Sequence, residues 1–247
     1  MQINIKFILT MLILSTYITN FVYANTNNYL NICTASNFLK TLKEIKIKFE
    51  KEYNCKIYIS SDSTANIYTK IINGAPFDIF ISADSKHINM LEKKNKTIYE
   101  NYTYAIGKII AIIKNKNMKI TKNKEKNLAT ANPKLSPYGK AVQNFIKNTK
   151  LKIKNKIIYG CNINQINTFI KSNNIDIGFT SLSQIKNDTN KKYWIIPIYL
   201  YPQINQKIAL LKESQNIFLA KKFIEYIKTD NIKNIIKKSG YDITKNE

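Results

Sequence analysis

Short apolar runs alternate with amphipathic stretches in the first part of the chain. Tyr29–Cys33, Lys56–Ile59 and Phe77–Ser82 are typical of strands, and the last has almost no polar interruption, as expected of a buried parallel strand. The stretch after the first of them carries apolar residues at helical spacing, with Ser36 or Asn37 as the expected N-cap: Phe38, Leu42, Ile45, Phe49 and Tyr53. A second helix, carrying Ile67 and Ile71, is expected to end just before Gly74. This alternation of strands and helices predicts a doubly wound α/β unit.

The same pattern is repeated further along the chain. Strands are predicted at four places: Ile106–Ile113, Lys156–Tyr159, Asp176–Thr180 and Trp194–Ile198. Helices are predicted to begin after Ser136 and at the cap residue Asn162. A further strand, Ile204–Leu211, is predicted to return to the first unit, and the tail Gln215–Lys238 is predicted to be an amphipathic helix.

The first 24 residues have the features of a secretory signal peptide. A single lysine, Lys6, precedes the apolar run Phe7–Leu14, and Val22-Tyr23-Ala24 provides a cleavage site after Ala24. The alternative is an uncleaved anchor helix, but polar residues interrupt the apolar core, which is short for a membrane span. No cysteine lies at the expected cut, so a lipid anchor is not expected. Cleavage removes only Lys6 from the net charge of +23, leaving +22.

The high positive charge comes from lysine alone. All 39 basic residues are lysine, and arginine, which is preferred for bidentate phosphate and base recognition, is absent. We therefore interpret the charge as a solvated lysine surface and expect no nucleic-acid partner; the stretch Lys114–Lys126 is interpreted as a surface excursion. A secreted polycation that binds nucleic acid or membrane remains the alternative. It predicts binding that does not depend on a solute and that weakens steeply as the salt concentration rises.

Residues suited to catalysis or redox chemistry are few. His87 is the only histidine, is expected at the surface, and no Ser-His-Asp or paired-carboxylate pattern accompanies it. The three cysteines, Cys33, Cys55 and Cys161, are expected to be buried thiols without a catalytic role. An enzyme is therefore the weaker hypothesis.

Small polar residues occupy four junctions between a predicted strand and the following helix. They are Ala35-Ser36-Asn37, Ser63-Thr64, Ser136-Pro137-Tyr138 and Gly160-Cys161-Asn162-Ile163. Each junction by itself is explained by ordinary helix capping. Together they place free N–H groups and hydroxyls beyond the carboxyl ends of strands, where α/β proteins bind ligands and where helix dipoles favour anions. The sequence therefore predicts an anion site between two units.

Four segments carry a resemblance to a known family. Asn73–Asp84 (NGAPFDIFISAD), Thr34–Phe38 (TASNF), Asn132–Gly139 (NPKLSPYG) and Ile177–Gln184 (IGFTSLSQ) closely resemble, in order and spacing, motifs of ModA-type periplasmic molybdate-binding proteins. The matches extend over about 29–241, nearly the whole mature chain.

The resemblance implies a type II periplasmic binding protein fold, with two doubly wound α/β lobes joined by crossover strands. Lobe 1 would be discontinuous, comprising 25–103 and 204–247, and lobe 2 would comprise 104–203. The implied function is capture of molybdate or tungstate in the periplasm and delivery to an ABC importer. It further implies a monomer without enzymatic activity or cofactor, which meets the membrane only through the permease subunits.

The resemblance also implies which residues bind the anion: Ser36, Asn37, Ser63, Thr64, Tyr138 and Ile163. Tyr138 and Ile163 would contribute mainly backbone N–H groups, and no side chain would coordinate the metal directly. Ser181 is a weaker candidate. Two residues depart from the family pattern: Asp62 puts a carboxylate near the anion and must point outward or cap a helix, and Asn205 replaces a commonly basic residue.

Other receptors with the same fold remain alternatives at the level of sequence. Sulfate and phosphate share the shape of molybdate, and Tyr199 and Tyr201 raise the possibility of ferric iron, although alternate residues on a strand more often serve packing. Stabilisation by molybdate and tungstate, by sulfate, or by ferric citrate distinguishes these receptors.

Overall fold

In the part of the chain that the structure describes, the strands form two five-stranded sheets. The computed structural model describes the ranges 28–113, 127–150, 157–172, 174–185 and 193–244. The expected signal peptide Met1–Ala24 and the stretch Lys114–Lys126 lie outside these ranges. Among the helices within them, none combines the length and the apolar character that crossing a membrane requires.

The first sheet has the strand order β2-β1-β3-β10-β4. Its members are β1 (Tyr29–Ala35), β2 (Lys56–Asp62), β3 (Ile79–Ile81), β4 (Tyr102–Gly107) and β10 (Ile204–Leu210). Strand β1 pairs in parallel with β2 and β3, whereas β10 is antiparallel to both of its neighbours. The predicted return of the late strand to the first unit is confirmed.

The second sheet has the corresponding order β7-β6-β8-β5-β9. Its members are β5 (Ile109–Ile113), β6 (Leu128–Ala131), β7 (Ile157–Gly160), β8 (Ile177–Ser181) and β9 (Tyr193–Ile195). Strand β6 is parallel to β7 and β8, and β5 is antiparallel to β8 and β9. The two sheets thus share one topology, and the predicted fold of two doubly wound α/β lobes is confirmed.

The described helices cover the faces of the two sheets. They are α1 (Leu39–Tyr53), α2 (Thr64–Ile72), α3 (Ser85–Lys93), α4 (Pro137–Asn148), α5 (Ile163–Lys171), α6 (Ile217–Lys228) and α7 (Asp230–Lys238). Short 3₁₀ turns occupy Leu182–Gln184 and Ile198–Leu200. The tail is therefore two helices rather than one, because Thr229 adopts an extended conformation (φ −67°, ψ 149°) that interrupts helical hydrogen bonding.

Each sheet has its own apolar core. In the first lobe the rings of Phe49 and Phe223 meet edge to face with centroids 5.0 Å apart, which joins helix α1 to helix α6. In the second lobe Phe145 of α4 packs against Phe179 of β8 at 5.8 Å. Ala35 and Ala83 of the first lobe also pack into the second core, so the two lobes are in apolar contact where they meet.

The predicted strand Ile106–Ile113 is in fact two strands in different sheets. Strand β4 ends at Gly107 in the first sheet and β5 begins at Ile109 in the second, so the first sheet continues beyond residue 103, the expected boundary. Lys108 makes the crossing between them and forms an ion pair with Asp242 (Nζ–Oδ1 2.7 Å). The apolar residues on both sides of Lys108 conceal this change of sheet, because an apolar pattern does not show which sheet a strand joins.

The carboxyl-terminal segment is attached to this crossing. The backbone of Asp242 exchanges two hydrogen bonds with that of Ile106, at 2.7 and 3.0 Å. The neighbouring Tyr241 is buried, with 3% of its surface exposed, and its ring packs against Phe38. The last described residues therefore pack against the crossing at Lys108, which we call the hinge, on the side of the first lobe.

Three of the predicted helix-end residues behave as expected. Ser63 and Asn162 cap α2 and α5 by accepting hydrogen bonds from Asn66 N and Gln165 N. Gly74 adopts φ +86° just beyond α2, a conformation that favours glycine. The expectation that Ser36 or Asn37 caps the first helix is wrong: α1 begins at Leu39 and no side chain caps it.

The burial of the cysteines agrees with the sequence only in part. All three are free thiols, and Cys33 and Cys55 are buried. Cys161, in contrast, is exposed, because it follows β7 at the edge of the second sheet.

A thiol-labelling experiment tests this arrangement. We expect native protein to react rapidly with a soluble disulfide reagent at Cys161 alone, since burial protects Cys33 and also raises its pKa, which disfavours the reactive thiolate. Cys161→Ser should remove the rapid phase, and unfolding should expose the remaining thiols. Rapid labelling of native Cys161→Ser protein would contradict the described packing.

Candidate functional site

The loops at the carboxyl ends of β1, β2, β6 and β7 face one another across the gap between the lobes. The backbone N–H of Ile163, at the start of α5, donates to Ser36 Oγ of the first lobe at 3.2 Å. The backbone N–H of Ala65 in α2 donates to the carbonyl of Leu135 at 3.2 Å. The structure thus brings the predicted anion-binding junctions of both lobes into direct contact.

Ser36 is fixed at the end of β1 by the neighbouring strand. Its N–H donates to the carbonyl of Asp62 at 2.9 Å, and the following turn is closed by Phe38 N donating to Ala35 O at 2.9 Å. The residue is 3% exposed. Its hydroxyl is therefore held in the gap between the lobes rather than in solvent.

Thr64 is the first residue of α2 and is 1% exposed. Its hydroxyl oxygen is buried and has no hydrogen-bond partner among the described residues. A buried hydroxyl without a partner costs about 1–3 kcal/mol, so the unpaired group fits a site that is completed by an acceptor such as an oxyanion. The neighbouring Ser63 is 3% exposed, and its hydroxyl accepts the N–H of Asn66 at 3.3 Å.

The second lobe contributes the starts of two helices. Pro137 occupies the first turn of α4, immediately before Tyr138, and Ile163 is the first residue of α5. The first N–H groups of a helix have no partner within it, and they carry a partial positive charge. Tyr138 and Ile163, which are 1% and 2% exposed, therefore present N–H groups of this kind at a buried position.

Asn37 makes more contacts than the sequence suggests. Its side-chain Nδ2 donates to Gln206 Oε1 at 2.8 Å and to Tyr241 OH at 3.1 Å. Its carbonyl accepts from Ser183 Oγ and Gln184 Nε2, both at 2.9 Å. The Asn37 side chain is thus committed to protein partners, and the residue joins the two lobes.

Sequence reasoning did not identify Gln206 or Tyr241 as part of this region. Both are buried, and Gln206 Oε1 also accepts from Tyr104 OH at 2.9 Å. The signal was present in β10, where Gln206 falls between Ile204 and Ile208 on the buried face of an alternating strand. A polar residue at such a position indicates a buried hydrogen-bond network.

Asp62 is directed away from the gap between the lobes, as the sequence required. Its Oδ1 accepts from Ser63 N at 2.7 Å and from Asn66 Nδ2 at 3.1 Å, and Lys70 Nζ donates to Oδ2 at 2.9 Å. Partial burial acts to raise the pKa of Asp62, but the hydrogen bonds from Lys70, Ser63 and Asn66 outweigh it and lower the pKa. The carboxylate is thereby neutralised locally.

The buried tyrosines of this region are neutral donors and acceptors. Burial raises the pKa of Tyr104 and Tyr138 well above the ordinary tyrosine value, and it raises that of Tyr241 as well. The region consequently combines hydroxyls, amides and backbone N–H groups. Among the described residues there is also no group of three or more His, Cys, Asp or Glu side chains arranged to hold a metal ion.

A cavity of about 630 Å³ is lined by the loop after β6 but not by the loops after β1, β2 and β7. The starts of α3 and α4 and the segment that leads into β10 line it, including Lys86, Ser136 and Asn205. Asn205 Oδ1 is buried and has no hydrogen-bond partner within the described part of the chain. His87, expected at the surface, is instead partly buried and lies 2.8 Å (Nδ1–Oδ2) from Asp84. None of the six predicted anion-binding residues lines this cavity.

Comparison with known proteins identifies relatives of this chain along most of its length. A family model described as bacterial extracellular solute-binding protein matches residues 30–242. The molybdate-binding protein ModA of Azotobacter vinelandii is 31% identical over 226 residues, covering 87% of this chain and 90% of that protein. ModA of Rhodobacter capsulatus is 30% identical over 216 residues, covering 84% and 85%. The solved periplasmic molybdate-binding protein of A. vinelandii superimposes with a TM-score of 0.82 at 29% identity, covering 87% of this chain and 100% of that one.

Two α/β lobes that close on each other through facing helix starts define a solute-binding protein. This chain belongs to the family of bacterial extracellular solute-binding proteins. The resemblance to ModA-type proteins indicated by the sequence motifs is confirmed. The expectation that the chain is not an enzyme agrees with these relatives, which are named as binding proteins.

Proposed function

We propose that the protein captures molybdate or tungstate between its lobes and delivers the anion to an ABC importer. One observation carries this proposal: Ile163 N and Ser36 Oγ, two groups suited to bind oxyanion oxygens, meet across the gap at 3.2 Å. The ModA relatives, at about 30% identity over most of their length, support molybdate as the solute.

Six residues form the proposed site: Ser36, Asn37, Ser63, Thr64, Tyr138 and Ile163. The hydroxyls of Ser36 and Thr64 donate to the anion from the first lobe. The Asn37 and Ser63 side chains have protein partners, so these two residues contribute through the backbone and by shaping the loops. Tyr138 and Ile163 contribute N–H groups at helix starts.

Uncharged donors suit this solute because molybdate is a dianion with four equivalent oxygens and no proton to donate at neutral pH. Hydrogen bonds to a charged group contribute about 1.5–3 kcal/mol each, so a few of them, in a site closed to water, sustain tight binding despite the cost of lobe closure. Entry of the anion replaces the bond between Ile163 N and Ser36 Oγ, so each group exchanges a neutral partner for a charged one.

The proposed setting is supported by the amino-terminal sequence, the ModA relatives and the sheet topology. The mature chain begins after Ala24, is exported without a lipid anchor, and acts as a monomer in the periplasm. The permease subunits of the importer are its protein partner. The first lobe comprises 25–107 and 204–247, and the second comprises the residues between them.

Calorimetric titration of the mature protein at high ionic strength tests the solute. We expect molybdate and tungstate to bind with measurable heat and to raise the melting temperature, whereas sulfate, phosphate and ferric citrate do neither. Binding of sulfate in preference to molybdate would overturn the assignment. Salt-sensitive adhesion without any oxyanion response would instead indicate a polycation.

Removing the Ser36 hydroxyl tests the site. Ser36→Ala is expected to weaken molybdate binding about 10- to 100-fold, the loss of one charge-assisted hydrogen bond, while the melting temperature without ligand stays close to that of the unmodified protein. Ser61→Ala, which removes an exposed hydroxyl from the neighbouring strand β2, is the matched control and should bind normally. Equal affinities in all three proteins would rule out a role for Ser36.

A further inference from the structure

Behind the proposed anion site lies a ring of neutral hydrogen-bonding side chains that crosses from one lobe to the other. Gln206, on β10 of the first lobe, is fully buried. Its Oε1 accepts from Asn37 Nδ2 at 2.8 Å, and its Nε2 donates to Tyr138 OH of the second lobe at 3.0 Å. The Gln206 amide thus joins the loop after β1, which contains Asn37, to helix α4, which contains Tyr138.

The ring is closed by Asn37 Nδ2, which also donates to Tyr138 OH at 3.5 Å. Two serines of the second lobe extend the network: the Ser181 and Ser183 hydroxyls are 2.8 Å apart, and Ser183 Oγ donates to the backbone carbonyl of Asn37 at 2.9 Å. All of these residues are buried.

The direction of these hydrogen bonds follows from the groups that can only donate or only accept. The amide nitrogens of Asn37 and Gln206 can only donate, so the Tyr138 oxygen accepts from both, and Gln206 Oε1 accepts from Asn37. The Asn37 backbone carbonyl can only accept, so Ser183 donates to it and Ser181 donates to Ser183.

The hinge strand leaves room for this arrangement at one glycine. A Cβ built on Gly107, the last residue of β4, would lie 2.3 Å from Tyr138 OH and 2.8 Å from Gln206 Nε2. Tyr138 therefore enters the first lobe only because residue 107 has no side chain.

We propose that Gln206 is a positioning residue that holds the two lobes together in the arrangement that binds the anion. Its hydrogen bonds to Asn37 and Tyr138, which we call the clasp, must come from an uncharged side chain. This inference rests on the proposed function. An amide is the side chain that accepts from Asn37 and Tyr104 with one end and donates to Tyr138 with the other. A carboxylate in its place cannot donate to Tyr138 and adds a buried negative charge near the dianion.

Two substitutions separate the effect of losing the hydrogen bonds on molybdate affinity from the effect of adding a negative charge. Gln206→Met keeps the volume but removes the ring, and we expect molybdate affinity to fall about tenfold at every pH, since buried partners are left unpaired. Gln206→Glu is expected to bind about 100-fold more weakly than the unmodified protein at pH 8 and to recover most of that loss at pH 5.5, where the carboxyl group is protonated and donates again.

The matched control is Gln203→Glu, which makes the same charge change at an exposed residue just before β10. It should change affinity less than threefold and without dependence on pH. Circular dichroism confirms that each variant is folded. Folded Gln206→Glu protein with normal affinity at pH 8, or with a pH profile parallel to that of the control, would overturn the clasp.

Small-angle scattering without ligand separates the clasp from the proposed function. Gln206→Met should have a larger radius of gyration than the unmodified protein, because the closed arrangement loses its ring. If the unmodified protein bound no oxyanion, the proposed function would fail while this difference still supported the clasp. Equal radii in the two proteins would overturn the clasp whatever the solute.

Discussion

Replacing Thr64 with aspartate is expected to abolish molybdate binding and to leave the fold intact. Thr64 is 1% exposed and its hydroxyl has no partner among the described residues, so a carboxylate there would lie unscreened beside the incoming dianion. Repulsion at an effective dielectric constant near 20 is about 4 kcal/mol for two single charges 4 Å apart, so affinity should fall about a thousandfold or more. The dipole of α2 favours a negative charge at the start of the helix, which offsets part of the cost of burying the carboxylate.

Thr69→Asp provides the control for charge alone. Thr69 lies in the same helix but is exposed, so the same charge change there should alter affinity only slightly. Thr64→Ser, which keeps the hydroxyl, should bind nearly as well as the unmodified protein. If calorimetry found that Thr64→Asp and Thr69→Asp bind molybdate equally tightly, Thr64 would not be part of the anion site.

Gly139→Ala is expected to destabilise the protein strongly, because the added methyl group overlaps backbone atoms. A Cβ at Gly139, in the first turn of α4, would lie 2.1 Å from the Ala131 carbonyl oxygen and 2.8 Å from its carbon. Both are backbone atoms at the end of β6, so no side-chain rotation relieves the overlap. The helix must move, at a cost of about 3 kcal/mol, and the adjacent Tyr138 N–H moves with it.

The expected result is therefore a double loss, seen as a lower midpoint of denaturant unfolding and as weaker molybdate binding. Gly74→Ala separates this overlap from backbone strain, because Gly74 has φ +86° and open space around it. That variant should lose about 1 kcal/mol of stability and bind normally. Gly139→Ala protein with unchanged stability and affinity would show that α4 is not held as described.

Much of the fold could be predicted because its signals are local. Strand β3 reads as an unbroken apolar run, α1 carries an apolar stripe, and Gly74 marks the end of α2. These features depend on a residue and its near neighbours in sequence. The split at Lys108 and the break at Thr229 could not be predicted in this way, since each depends on which sheet or core the following residues join.

The candidate site was predictable to the extent that it consists of helix starts. Ser63 and Thr64 lie at such a start, and Ile163 begins α5 as expected. The sequence pattern does not show how a side chain turns within its loop. Asn37 belongs to a ring that includes Gln206, 169 positions away in sequence, and no spacing rule connects such residues.

Strand β10 separates β3 from β4 in the first sheet, although it is synthesised after every other strand. The amino-terminal lobe therefore cannot complete its sheet until residues 204–210 have arrived, and helices α6 and α7 follow later still. The second lobe is built from one continuous stretch and has no such delay. We expect the second lobe to fold first. The amino-terminal part of the first lobe, although it is synthesised earlier, remains an incomplete sheet until β10 pairs with it, and that step requires contacts between distant parts of the chain.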